Sequence, residues 1–390
     1  MESPESSPHH PEPSFEESFI MLMSQAHKAD YGKEKILAWE ELVGKARHTD
    51  DDELLLATLF ELGEAYIYGG EIHRLPIAFQ EARDICAELE PQLQLEWGHN
   101  LGKQYKYYMT ALVDHPDTPA AELRSELEEL RDFWSSNADT MKEYYLRAYY
   151  VFQELGDKPA AEEAFTLWLA EPREEGSFSE CPSCSPIHQI KALQARGNTT
   201  DAILTGEQAL ARTDDFCSAQ PENLYLALLE PWIYAGRVKE ARRAHRKTLL
   251  RDMYSQVGAE FYAQHFTYYA LLSMRGHRFH YWRGLEFFRS HISYWLEMES
   301  SRALMDCAAA AALFLRQHPK PHRRMRLRFA GESLPWIIAP DLHDPTIAEA
   351  AQWCADIALN LARRFDARPG LAHPHTVADV EHKIFHTKKP

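Results

Sequence analysis

Four glycines constrain this chain more than any other feature. Gly156, Gly197, Gly236 and Gly276 follow one another at separations of 41, 39 and 40 residues. Each comes after an apolar segment that reads as a helix end (FQEL, LQAR, WIYA, LSMR) and before a second helical segment (AAEEAFTLWL, TDAILTGEQAL, KEARRAHRKTL, HYWRGLEFFRSHI). A glycine just past a helix end supplies the left-handed conformation that closes the last turn. A helix–Gly–helix unit recurring with a period near forty predicts stacked helical hairpins. One hairpin cannot bury its apolar face alone, so each depends on its neighbours.

The composition agrees with helix: Ala, Leu, Glu and Arg dominate, and only 17 of 390 residues are Gly. A length of this order suggests two or three domains, but repeats grow in one direction without a single central core. The formal net charge of −17 opposes binding to nucleic acid unless a basic surface is segregated. Two basic runs, Arg237 to Arg251 and His318 to Arg328, read as solvated helix faces. No run of eighteen apolar residues occurs, so no membrane span is expected. The start, MESPESSPHHPEP, lacks the basic stretch and apolar segment of a secretory signal. The expected compartment is the cytoplasm, where six cysteines read as thiols or metal ligands rather than disulfides.

In chain order, residues 1–13 hold Pro4, Pro8, Pro11 and Pro13 and read as a disordered leader. Helical periodicity begins at Ser14, with Phe15, Phe19, Leu22, Met23 and Ala26 on one face. A second helix carries Ile36, Trp39, Leu42 and Val43, and Gly69–Gly70 turns the first clear hairpin. Helical repeats are expected over 14–300. An Ala-rich helix stopped by Pro319 and a last helix from about Pro345 to Phe365 make a C-terminal helical cap over 301–366. Between them, KPHRRMRLRFAGESLPWIIAPDLHD reads as a loop with short extended pieces. Residues 367–390 are polar and Pro-interrupted and read as a flexible tail.

Small residues recur on the second helix of the unit: Ala160, Ala161 and Ala164 after Gly156, and Ala241 and Ala244 after Gly236. With them the unit resembles the tetratricopeptide repeat over roughly residues 53–290. The segments GGEIHRLPIAF, CPSC, QPENLYLALLEPWIYAGRVKEARRAHR and LARRFDARPG resemble bacterial tetratricopeptide-repeat proteins of unassigned activity. The period exceeds the usual length of about 34 residues, and no unit carries the full Trp–Leu–Gly–Tyr string. HEAT-like hairpins, with periods of about 40–47 residues, are the second architecture. The resemblance implies an all-α, right-handed solenoid of antiparallel helical hairpins, a tetratricopeptide-like superhelix. It supplies no catalytic residues.

The sharpest chemical motif is Cys181-Pro-Ser-Cys184. Two thiolates at this spacing can share one Zn²⁺. Cys217 is the best third ligand, because it lies in the loop before the next hairpin as CPSC does before its own. Corresponding loops of stacked hairpins fall on one edge, about 10 Å apart. His188 or His245 is the fourth candidate. Such a site is structural, because four filled positions leave none for substrate. Free thiols at a repeat edge, and a disulfide or redox pair, stand beside it. Cys86, Cys307 and Cys354 sit among apolar helix residues and read as buried small side chains.

The many Tyr, His and Arg residues read mainly as packing between hairpins. Together they also suit a groove for an extended peptide or partner helix. Arg147, Tyr149, Arg242, Arg243 and His265 are the candidate groove residues. No HExxH, GxSxG, GxGxxG or phosphate loop is present, so nothing in the sequence proposes a reaction. The expected function is a non-catalytic scaffold or adaptor that binds a protein or peptide and requires no cofactor beyond a structural zinc. The alternative is a regulatory sensor whose groove responds to a peptide or small ligand.

Overall fold

The computed structural model describes residues 15–172, 179–212, 216–249, 261–296, 298–327 and 344–390. The expected leader and most of the expected loop after Lys320 lie outside them. The chain is all-helical: helix makes up 76%, and no strand forms among the described residues. In order the helices are α1 (Phe15–Lys28), α2 (Lys33–Ala46), α3 (Asp52–Gly69), α4 (Leu75–Glu88), α5 (Pro91–Asp114), α6 (Ala120–Asn137), α7 (Lys142–Glu154) and α8 (Lys158–Ala170). There follow α9 (Ser185–Ala195), α10 (Thr199–Leu210), α11 (Glu222–Tyr234), α12 (Val238–Leu249), α13 (Tyr262–Met274), α14 (Arg278–Leu296), α15 (Ser301–Arg316), α16 (Ile347–Asp366) and α17 (Thr376–Glu381).

The glycine turns share one chemistry. Gly156, Gly197, Gly236 and Gly276 have φ of 70°, 74°, 77° and 83°. The residue after each glycine returns its N–H to a carbonyl of the preceding helix. Asp157 bonds Phe152 at 2.9 Å, Asn198 bonds Leu193 at 2.9 Å, Arg237 bonds Trp232 at 2.7 Å and His277 bonds Leu272 at 3.1 Å. This is the Schellman closure, in which orphan helix-end carbonyls are satisfied by a left-handed glycine. Asp157 and Asn198 then serve as N-caps, their side chains accepting from Ala160 and Asp201.

Most successive helices pack on one another, among them α7 on α8, α11 on α12 and α15 on α16. Helices two apart also touch: α3 on α5, α5 on α7, α9 on α11, α11 on α13 and α13 on α15. The apolar core forms two clusters. One runs from Phe19 to Trp168 and adds Ala192. The other runs from Ile190 to Ile384 and includes Cys307 and Cys354. Cys86, Cys307 and Cys354 are all buried, as small apolar side chains would be. No helix among the described residues is long and apolar enough to cross a membrane.

The chain does more than stack in sequence. Arg368, after α16, donates to the carbonyls of Thr118 and Val113 at 2.7 and 2.9 Å and to Glu154 at 3.0 Å. Arg302 on α15 pairs with the other oxygen of Glu154. Ala120 N–H bonds the Pro369 carbonyl at 2.8 Å, and His73 Nε2 lies 2.7 Å from Glu299 Oε2. A linear repeat contacts only its neighbours; here the C-terminal helices are tied back to the first half.

The segment 367–390 departs from the flexible tail expected of it. Asp366 accepts backbone N–H bonds from His375, Thr376 and Val377 at 3.0, 2.8 and 3.0 Å, which starts α17. Val380 and Ile384, four residues apart on one helical face, are buried in the second core. A polar composition concealed this short apolar stripe.

Candidate metal centre and the polar row beside it

Two loops meet at three cysteines. Cys181, Pro182, Ser183 and Cys184 form the turn into α9, where the N–H groups of Cys184 and Ser185 both return to the Cys181 carbonyl at 2.9 Å. Cys217 lies just before α11, and α9 packs on α11. The sulfurs of Cys181, Cys184 and Cys217 all lie within 4.8 Å of one another. Cys184 and Cys217 are 3.6 Å apart. A zinc ion about 2.3 Å from each thiolate sets tetrahedral sulfurs about 3.8 Å apart. The triad therefore fits one such ion.

The surrounding donors fit as well. Ser183 is buried; its hydroxyl lies 3.0 Å from Cys181 Sγ and accepts from Cys217 N–H at 3.4 Å. Gln220 donates to Cys184 Sγ at 3.4 Å, while its carbonyl caps α11 at Leu224 N–H. Burial opposes ionisation of Cys181, but hydrogen bonds from Ser183 and its neighbours outweigh it, and the thiol lies below its ordinary range. Burial pushes Cys184 up to about 12, with the Gln220 donor working against that rise. A cation here would hold all three sulfurs as thiolates.

Neither histidine expected as a fourth ligand belongs to the triad. His245 is the clear correction. It lies on α12 in the second core, with Nδ1 2.9 Å from His265 Nδ1 and Nε2 3.1 Å from the Tyr269 hydroxyl. The rotation of α12 turns this position toward α13, away from the loops that carry the cysteines. His188 is nearer in sequence, but its Nδ1 lies 2.6 Å from the Tyr150 hydroxyl. Burial keeps His188 neutral and lowers its pKa to about 3.

The residue before Cys181 opens onto a second feature. The Glu180 carboxylate pairs with Arg147 on α7 and lies 4.0 Å from Lys106 on α5. The Glu180 N–H donates to Glu143 at 2.8 Å, and Arg147 also donates to Thr110 at 3.3 Å. Lys106, Glu143 and Arg147 are all buried. Burial alone would raise the Glu180 pKa; Arg147 and Lys106 outweigh it and hold it down. Burial and the Glu180 charge raise that of Glu143. Glu143 Oε2 and Arg147 Nε find no hydrogen-bond partner among the described residues.

This polar cluster ends a row of aromatic rings. Tyr31 packs on Tyr68 at 5.1 Å, Tyr68 on Tyr107 at 6.4 Å, and Lys106 lies over the Tyr107 ring at 5.3 Å. Tyr31 and Tyr68 are 45% and 42% exposed, so this end of the row faces solvent. Tyr68, Tyr107, Arg147 and His188 sit on α3, α5, α7 and α9 at separations of 39, 40 and 41 residues. They recur at the spacing of the glycine turns.

Of the groove residues read from sequence, only Arg147 lies in this cluster. Tyr149 is core, packed on Phe165 with Arg196 above it. His265 is core beside His245, whereas Arg242 and Arg243 are exposed on α12. The five do not share a face, because neighbours on a helix point about 100° apart. Lys106, Glu143, Glu180, Tyr68 and Tyr107 were missed. For Tyr68 and Tyr107 the signal was the forty-residue period, which runs on to Arg147; Lys106, Glu143 and Glu180 lie off that register and meet only in the folded chain.

No family model matches the chain, and no curated protein matches it.

Proposed function

We propose that the protein is a non-catalytic helical-repeat scaffold of the tetratricopeptide kind, a right-handed solenoid of hairpins that binds a protein or peptide. The observation that carries this reading is the row of Tyr31, Tyr68 and Tyr107 leading to Lys106 and Arg147. Tyrosines with exposed rings offer rigid contact area and a hydroxyl at low entropic cost. Lys106 and Arg147 close the row at its buried end, where Glu180 neutralises them. The shared glycine closures and the packing of helices two apart support the solenoid. A zinc on Cys181, Cys184 and Cys217 fits the same reading, as a clasp that joins the loop before α9 to the loop before α11 in a reducing cytoplasm; its fourth position takes a donor outside the triad.

The test uses Tyr31→Ala/Tyr68→Ala, whose side chains are too exposed for their loss to disturb the core. Wild type should capture one stoichiometric partner, confirmed with purified components, and the double variant should bind it about tenfold more weakly. Equal affinity for both would overturn the row as the binding face. A second reading, the ligand-responsive sensor, draws on the joint at Glu154, Arg302 and Arg368. A ligand that favours an open joint would change the shape of the chain. Small-angle scattering should then shift when the partner binds; an unchanged curve removes the sensor.

A further inference from the structure

We propose that Cys181, Cys184 and Cys217 bind one thiophilic divalent cation and that the occupied site latches Glu180 over Lys106 and Arg147, closing a position for an acidic ligand. The metal half rests on the zinc reading above; the latch goes beyond it. The connection is covalent and short. Glu180 is bonded directly to Cys181, whose carbonyl closes the turn into α9. One side of this segment is therefore fixed by the sulfur knot, and the other by Arg147, Lys106 and the bond to Glu143. Four residues past Cys184, His188 meets Tyr150 on the same helix as Arg147.

The electrostatics make Glu180 a stand-in for a ligand. Lys106 and Arg147 are each 7% exposed. Glu143 is the other acid facing them, and its N–H partner is the backbone of Glu180 itself. With Glu180 withdrawn, two buried cations keep one carboxylate between them. A buried charge without a counter-charge is costly, so the position favours any carboxylate that can reach it. Tyr107, under Lys106, leads from there to the exposed rings of Tyr68 and Tyr31.

Binding the cation releases three thiol protons to solvent. Three thiolates and a dication leave one net negative charge at the site. The Gln220 donor on Cys184 offsets it, as does the N-terminal end of α9, whose cap is Cys184. The three cysteines leave the fourth coordination position to a donor outside the triad. Without the cation, the loop keeps the single hydrogen bonds among thiols, Ser183 and Gln220.

The test uses the full chain. Zinc titrated against a chromophoric chelator should bind one per chain, and Cys181→Ser and Cys217→Ser should each weaken it by about a hundredfold or more. Weak binding to wild type, or unchanged binding to both variants, would overturn the metal site. A tetraglutamate peptide is then titrated calorimetrically. Zinc-free wild type and zinc-loaded Glu180→Gln should bind it about tenfold tighter than zinc-loaded wild type. Arg147→Ala in the Glu180→Gln background should abolish that gain. Equal binding throughout would overturn the latch and leave the metal site standing. Neither readout involves Tyr31 or Tyr68, so failure here is separable from failure of the scaffold reading. Hydrogen exchange on unmutated protein checks the latch without relying on a variant. Chelation should speed exchange in 180–188 and in α7 around Arg147; unchanged exchange in both would overturn it.

Discussion

Glu154→Ala should be among the most damaging single changes in this chain. The Glu154 side chain is 7% exposed at the end of α7, and Arg368 opposite it is fully buried. Glu154 Oε1 accepts from Arg368 at 3.0 Å, and Oε2 accepts from Arg302. Removing the carboxylate leaves the buried Arg368 hydrogen-bonded to the carbonyls of Thr118 and Val113, with Asp114 as the acid still acting on it. Breaking a buried pair by deleting one partner costs about 3–5 kcal/mol. Those two carbonyl bonds survive, and Arg302, 23% exposed, can turn to water. The cost should therefore fall near the lower end, about 3 kcal/mol, or roughly two decades in the unfolding equilibrium. Asp117→Ala is the control. Its pair with Arg364 joins the same parts of the chain at 2.8 Å, but the side chains are 63% and 49% exposed. Exposed pairs contribute about 0–1 kcal/mol. Urea unfolding followed by circular dichroism and by tryptophan fluorescence measures both. Two probes are needed because two cores can unfold in separate steps. If Glu154→Ala and Asp117→Ala destabilise by the same amount, burial is not what gives the joint its strength.

Two further predictions concern packing and pH. A Cβ on Gly284 would meet Phe314 Cζ at 2.5 Å and Tyr269 Cγ at 2.9 Å, whereas one on Gly98 meets nothing within 4 Å. Gly284→Ala should cost about 1–3 kcal/mol by overpacking, and Gly98→Ala should gain about 0.5–1 kcal/mol from helix propensity; thermal melts that rank them the other way would refute the packing described. Burial lowers His188 and His265 from 6.5 to about 3. The unfolded chain takes up their protons as pH falls below 6.5 while the folded chain does not, so the stability they contribute is present above pH 6.5 and is lost as pH falls toward 3. Urea midpoints should drop between pH 7 and 5, and His265→Phe should reduce the slope; a flat wild-type profile would contradict burial of the neutral rings.

Much of the helical order could be read from local signals. The glycines at 156, 197, 236 and 276 mark helix ends because only a left-handed residue closes that turn without steric cost. The stripe of Ile36, Trp39, Leu42 and Val43 gives the buried face of α2. The juxtaposition of Cys181, Cys184 and Cys217 could be anticipated because the two loops lead into α9 and α11, one repeat period apart in sequence, and these helices pack on each other. His245 could not be placed the same way. Its repeat number says which hairpin it belongs to, while the rotation of α12 decides that it faces His265 and Tyr269.

The sequence by itself determined the all-helical class, the hairpin turns and the loops that hold the cysteines. Each depends on residues close along the chain, where backbone conformation and apolar period act directly. Only the tertiary structure decided that Arg368 reaches Glu154 across 214 residues. It also decided that Val380 and Ile384 pack into a core, and that Glu180 neutralises Lys106 and Arg147. These contacts join distant segments, and their energies depend on burial, which no local pattern encodes.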